Sequence, residues 1–365
     1  MKHRAILPLL FALTLLLTGC AEKTPAADPL ADLRQNQRLW NAVVEATGVE
    51  EDAITVQDLE RVINLNCAYT HDLSDLSPIV HLPHLQYLRL EGNEVTDLSP
   101  LAGLTELRFL ELAANDITDL TPLAGLTRLE SLDLRLNAIA DLAPLSGLTA
   151  LESLSLQGND IVDLSPLGGL LHLRSLDLGI NAISDLSPLR GLTELRFFGT
   201  SNNQVTDLAP LAGLTRLEIL EFGSNAVSDL SPLAGLKQLE SLGFSSNAVS
   251  DLSPLAGLKQ LEELILNKNT VSDLTPLQNM TMLSTLDLSQ NKVVDLAPLA
   301  NLVRLNTLFL VDNKITDLTP LGGLPELEYL YAEWLRVTDW SPVRHVRSVT
   351  GSPYEWAGYS TYLPE

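Results

Sequence analysis

One phrase, Asp-Leu-x-Pro, returns every 22 residues along this chain. Its Asp stands at Asp75, Asp97, Asp119, Asp141, Asp163, Asp185, Asp207, Asp229, Asp251, Asp273, Asp295, Asp317 and, with Trp in place of Leu, Asp339, and a Pro follows three residues after each. Thirteen copies without an insertion or deletion describe one structural unit stacked thirteen times. A chain written this way folds as a solenoid whose units bury their apolar residues against their neighbours, and its function belongs to surface display and binding.

A full unit runs from Leu85 to Glu106. Leu88-x-Leu90 alternates with period two, as a short strand with one buried face requires. Equivalent strands pair in parallel, and at roughly 4.8 Å per strand thirteen of them span about 60 Å. A second column holds Asn93, Asn115, Asn137, Asn159, Asn181, Asn203, Asn225, Asn247, Asn269, Asn291 and Asn313, with His71 and Leu335 replacing it at the ends. Where a strand turns inward its backbone groups need partners, and an amide side chain supplies both a donor and an acceptor. The Pro suits the first turn of a short helical segment. The Ser or Thr before it, replaced by Ala143, Ala209 and Ala297, is expected to be the N-cap. The Gly three residues after it, present in nine units, is expected to be a left-handed C-terminal cap. The fold class is therefore an α/β solenoid with short parallel strands on the concave face and short 3-10 or helical segments on the convex face.

The pattern L-x-x-L-x-L-x-x-N, repeated in register over about residues 63–349, resembles the leucine-rich repeat. The repeat length and the I-x-D-L-x-P-L tail are similar to the bacterial internalin class. That resemblance implies a non-catalytic protein-binding scaffold with a helical N-terminal cap.

The ends carry different signals. Residues 1–19 have a basic start and an uncharged run from Ala5 to Leu17, too short for an ordinary transmembrane helix, and read as a signal peptide. Leu17-Thr18-Gly19-Cys20 looks like a bacterial lipobox, which implies that Cys20 is lipidated and becomes the first mature residue; plain secretion with an incidental Cys is the alternative. Ala21, rather than Asp, implies an outer-membrane address if the organism has one. Residues 20–32 read as a flexible tether. Residues 33–62 form the helical cap, with Leu33, Leu39, Ala42, Val43 and Ala46 at helical spacing up to Gly48 and a second short helix N-capped by Thr55. The first strand is placed at about Leu65–Cys67, with the Cys67 thiol packed. The repeat frame is read through Val349, and residues 350–365 form an aromatic cap or tail containing Tyr354, Trp356, Tyr359 and Tyr362.

The net charge is −23, and part of it is the repeat Asp itself. Such a chain lacks the basic contacts that nucleic-acid phosphates require, and it leaves the lipid anchor as its one expected hold on a membrane. A basic protein partner would be steered toward it. No nucleophile motif, phosphate-binding Gly loop or zinc spacing appears, so no catalytic residue, cofactor or metal is assigned. His71, His81 and His84 read as surface histidines. The Asp column suits capping of backbone N–H groups better than calcium, since each unit offers one carboxylate.

Specificity is expected in the outward strand residues, four and two positions before each Asn, with flanking positions at six and one. Small side chains at Gly179, Gly199, Ser201, Gly223, Gly243 and Ser245, with Asp177 and Glu221, suggest a middle trough bordered by Arg174, Arg196, Phe197 and Ile219. Phe198, Phe222 and Phe244 alter the core slots beneath it, either as volume compensation for Thr200 or to shape the trough. A C-terminal group, Phe309, Tyr329, Tyr331 and Trp334 with Asp287, Asp312 and Glu333, has the aromatic composition of a protein interface. A protein ligand is the first reading; glycan or peptidoglycan recognition and a structural envelope role remain open.

Overall fold

The computed structural model describes residues 28–352. Its core element is one parallel sheet of fourteen three-residue strands in sequence order. They are β1 (Asn64–Asn66), β2 (Tyr87–Arg89), β3 (Phe109–Glu111), β4 (Ser131–Asp133), β5 (Ser153–Ser155), β6 (Ser175–Asp177) and β7 (Phe197–Gly199). The array continues through β8 (Ile219–Glu221), β9 (Ser241–Gly243), β10 (Glu263–Ile265), β11 (Thr285–Asp287), β12 (Thr307–Phe309), β13 (Tyr329–Tyr331) and β14 (Ser348–Thr350). The central residue of each strand points inward. It is a fully buried Leu in twelve strands, Phe198 in β7 and half-buried Val349 in β14. One apolar core runs unbroken from the cap to the last unit.

From β2 to β13 each residue pairs with the residue 22 further on, as Tyr87 does with Phe109. The two junctions differ. Asn64 pairs with Tyr87, one residue beyond the period, and β1 lies one residue earlier than its expected place. At the other end Leu330 pairs with Val349, only 19 residues on. The final unit is therefore shortened between Pro342 and its strand, and Val349 is a strand centre rather than the unit's opening Leu.

The thirteen Asp side chains have one job in common. In every unit the Asp Oδ1 accepts the backbone N–H two residues on, at 2.7–2.8 Å. That N–H belongs to the residue before Pro and opens the 3-10 turn, so the Asp caps the turn from outside it. The expected Ser or Thr N-cap is thus displaced by two residues: Ser99, Thr121, Ser165, Ser187 and Ser231 instead donate their hydroxyls to the Asp at 2.6–2.9 Å. Since the cap uses a backbone N–H, Ala143, Ala209 and Ala297 keep it.

The left-handed residue is also elsewhere than expected. None of the nine glycines after Pro has a positive φ. The chain closes there through an inverse γ-turn, seen at Leu170 (φ −84°, ψ 63°) with Leu171 N–H on Gly169 O at 3.0 Å. Nothing lies within 4 Å of a Cβ built at Gly103, Gly125, Gly147, Gly169, Gly213 or Gly323, and no contact explains glycine at those positions. Positive φ falls instead on the residue before each Asn, from Gly92 (68°) and Ala114 (54°) through Leu136, Ile180, Lys268 and Asp312 to Trp334 (62°) beside Leu335.

The Asn that follows holds this turn. Asn115 Nδ2 donates to Leu90 O (2.9 Å) and Leu112 O (3.0 Å), and its Oδ1 accepts from Val95 N–H at 2.9 Å. The same three bonds recur at Asn137, Asn159, Asn181, Asn203, Asn225, Asn247, Asn269, Asn291 and Asn313, each joining a unit to the one before it. Asn93, first in the column, donates to Cys67 O and Leu90 O and receives the Thr70 hydroxyl in place of a backbone N–H.

The N-terminal cap covers the first unit. It consists of α1 (Pro29–Gln35), α2 (Gln37–Thr47) and α3 (Val56–Leu59). Asn36 ends α1, and its Oδ1 caps α2 through Leu39 N–H at 3.2 Å, which breaks the single expected helix. Leu33, Leu39, Ala42 and Val43 are buried with Trp40, whereas Ala46 is exposed. Residues 29–32, expected in the tether, are helical. Thr55 and Asp58 form a capping box at α3. Cys67 is buried, which pushes its thiol up to about 12. Trp340 replaces the repeat Leu and is 7 % exposed, so it belongs to the core. The signal peptide, Cys20 and the aromatic tail residues Tyr354, Trp356, Tyr359 and Tyr362 lie outside the described residues.

Candidate binding surface

The strand register sorts the outward side chains into rows that cross the sheet. The row four positions before each Asn brings Ile265, Asp287, Phe309 and Tyr331 into sequence on β10 to β13. Phe309 and Tyr331 stack, with centroids 4.4 Å apart and planes at 7°. Asp287 lies beside Phe309, its Oδ1 held by Ser289 N–H at 2.8 Å. Tyr329 stands half-buried at the other end of β13. Trp334 is 75 % exposed, the most exposed of the large apolar side chains among the described residues. Its left-handed backbone turns it onto the rim, where Asp312 holds the equivalent place one unit earlier and bonds Glu333 O through its N–H at 3.1 Å. Glu333 is half-buried, and its Oε2 has no hydrogen-bond partner. The structure thus gathers Phe309, Tyr331, Glu333 and Asp287 at one end of the concave face, with Trp334 and Asp312 on the adjoining rim.

The middle zone is divided. Over Gly199 the space left by the missing side chain is taken up by Asp177 Oδ1, 3.0 Å from where a Cβ would stand, and by the Phe197 ring at 3.3 Å. Asp177 and Phe197 therefore close the upstream part. Downstream a depression of about 330 Å³ opens over β8, β9 and β10, lined by Ser201, Glu221, Gly223, Gly243, Ser245 and Glu263, with Ile265 at its far end. The expected border of Arg174, Arg196, Phe197 and Ile219 does not line it. Arg174 and Arg196 are occupied on the rim by Glu152 and Glu218. Below the sheet Phe222 and Phe244 stack at 5.6 Å and fill the core, while Thr200 is fully buried with its hydroxyl accepting from Asn203 Nδ2 at 3.3 Å. Rings inside and glycines outside coexist because alternate strand residues face opposite ways.

Burial pushes the Asp177 carboxyl above the usual carboxylate range. Burial also raises Glu221, and the charges of Asp177 and Glu263 raise it further. Sequence reasoning missed Glu263 and Ser241, which stand six positions before their Asn and were counted only as flanking. It also missed how deeply Glu91 sits. That side chain is 6 % exposed beside Arg89 (3.1 Å), its Oε2 has no partner, and burial raises its carboxyl. Tyr87 and Phe109 stack at 4.6 Å on β2 and β3, a second aromatic pair near the opposite end of the sheet.

A family model described as Leucine Rich repeats (2 copies) matches residues 105–147, 149–191, 237–279 and 281–321. Among solved structures, an internalin of Listeria monocytogenes is 32 % identical, with 88 % of this chain and 97 % of that chain aligned at a TM-score of 0.84. A leucine-rich repeat protein of Leptospira interrogans shares the fold at 23 % identity and a TM-score of 0.72, covering 80 % of this chain and 85 % of that one. So does the functional domain of InlJ from Listeria monocytogenes, at 23 % identity and a TM-score of 0.65 over 84 % and 75 % of the two chains. No curated protein matches the chain.

Proposed function

The chain belongs to the leucine-rich repeat family, of the internalin type, and from that premise we propose that it is a lipid-anchored envelope protein that binds a protein ligand on its concave sheet. Internalins are protein-interaction scaffolds, and leucine-rich repeat domains generally bind protein ligands. The observation that carries the reading to this chain is the Phe309–Tyr331 stack with Trp334 projecting beside it. Large aromatic side chains dominate the energy of protein interfaces once a partner removes them from water. Asp287, Asp312 and Glu333 surround the pair and favour a basic partner, whose approach the overall charge accelerates.

The anchor rests on the lipobox at Leu17-Thr18-Gly19-Cys20, and it places the solenoid at the bacterial envelope, on an outer membrane where there is one. Labelled fatty acid should appear on the wild-type protein and not on Cys20→Ser. Crosslinking on intact cells tests the binding role. Recovery of one or a few discrete proteins supports it. Recovery of no protein would favour a structural envelope role, and retention of glycan by the purified protein would favour carbohydrate recognition.

A further inference from the structure

The depression over β8–β10 and the aromatic pair on β12–β13 lie along one row of the sheet. Ile265 closes the depression, and Asp287 and Phe309 follow it in the same row on the next two strands. We propose that this row takes an extended segment of the bound protein, with a lysine or arginine side chain seated in the depression and an apolar side chain on the Phe309–Tyr331 pair. The inference rests on the concave-face reading above and adds the chemistry of what is bound.

Three observations support it. The first is shape. The floor of the depression is backbone at Gly223 and Gly243, and about 330 Å³ lies near the lower end of the range for small-molecule sites, roughly 300–1,000 Å³. That volume suits one long side chain. No aromatic face lines it, so a sugar ring would find nothing to stack on.

The second is charge. On the sheet Arg89 answers Glu111 one strand away, and on the rim Arg108–Glu130, Arg174–Glu152 and Arg196–Glu218 pair in the same way. Among the described residues neither Glu221 nor Glu263 makes an ion pair; Glu263 has only the Ser241 hydroxyl, at 2.8 Å. These two carboxylates stand diagonally across β9, Glu221 of β8 beside Gly243 and Glu263 of β10 beside Ser241, and repel one another. A cation from a partner removes the repulsion and places its N–H donors among the carboxylates and the Ser201 and Ser245 hydroxyls.

The third is spacing. Gly243 and Phe309 are three strand intervals apart, about 14 Å at the usual 4.8 Å separation. At about 3.3 Å per extended residue the basic and apolar side chains should be four or five positions apart.

The test is selection from a phage-displayed library of random dodecapeptides on the full soluble chain carrying Cys20→Ser. Wild-type protein should enrich peptides with Lys or Arg followed four or five positions later by an aromatic or aliphatic residue. Glu221→Gln/Glu263→Gln should lose the basic preference and keep the apolar one. Tyr331→Ala should do the reverse. Gly243→Val offers a variant that keeps both carboxylates. A Cβ there meets only Glu221 Cγ, at 3.7 Å, so the strand tolerates it, and the filled depression should also lose the basic preference. Selection of the same motif by wild type and by Glu221→Gln/Glu263→Gln would overturn the proposal. Apolar enrichment without a basic residue would overturn it while leaving the concave-face reading intact, and no enrichment at all would count against both.

Discussion

At the level of single residues, the repeat phrase divides into side chains that close turns and side chains that are free to vary. Asn291 shows the first kind. It donates to Leu266 O and Leu288 O and accepts from Val271 N–H, all at 3.0 Å. Asn291→Ala would leave Val271 N–H buried and unpaired and would leave Leu266 O and Leu288 O with one Asn donor each, from Asn269 and Asn313, and we expect a loss of about 1–3 kcal/mol in urea unfolding. Ser153→Ala, on the open sheet, should change stability by less than about 0.5 kcal/mol. Glu221 shows the second kind. Its folded carboxyl is raised by burial and by Asp177 and Glu263, so whatever stability it contributes is present below the unfolded value and lost as pH rises through the raised one. At neutral pH its charge opposes folding, and Glu221→Gln should raise the melting temperature while weakening capture of a basic ligand. A fall in both would mean that the carboxylate is structural. The Asn and Asp columns were plain in the sequence because each is invariant in type. The left-handed position was not, since only Gly92, Gly158 and Asn202 betray it and Ala, Leu, Ile, Ser, Lys, Gln, Asp and Trp occupy the rest.

At the level of the element, each unit is a three-residue strand, an Asn-held turn and a 3-10 turn capped by Asp. The order of these parts was legible from period and proline. That the Asp column caps backbone N–H groups was legible too; that the Ser or Thr before Pro does not cap the turn was not, because Ser and Asp are both good caps and lie two residues apart. Asp229→Ala should therefore destabilise the chain more than Ser231→Ala, since the first removes the acceptor of the backbone N–H and the second removes only a hydroxyl that supports it. The ends of the array were the least legible elements. The shortened last unit depends on Gly351, whose φ is 80° and where a Cβ would come within 2.6 Å of the Ala332 backbone. Gly351→Ala should loosen β14 from β13, seen as faster amide exchange confined to those strands.

Across the whole molecule, charge acts in two opposed ways. The Asp caps at Asp97, Asp163, Asp185, Asp229, Asp251, Asp273, Asp317 and Asp339 are held below the usual carboxylate range by their backbone and hydroxyl donors. Their contribution is complete above the unfolded value of about 3.9 and is lost as pH falls through the lowered one. Glu91, Asp177 and Glu221 carry the opposite sign. The melting temperature should therefore rise slightly from neutral pH toward about 5 and drop below about 4. A monotonic decline from pH 7 would contradict this division of the acids.

The architecture followed from the sequence because a strict repeat leaves one way to bury its leucines. The binding surface followed only in part, because the rows depend on neighbours 22 residues away filling or leaving space. Phe197 and Asp177 close over Gly199, whereas Gly223 and Gly243 stay open. The proposed grip on a protein lies at the C-terminal aromatic end of the concave face. The most direct measurement is the affinity of the crosslinked partner for purified variants. Tyr331→Ala and Trp334→Ala should each weaken binding by about tenfold or more, as loss of an interface anchor does, with Ser153→Ala and Ser155→Ala close to wild type. Equal effects at the two places, or none at Tyr331 and Trp334, would contradict the account.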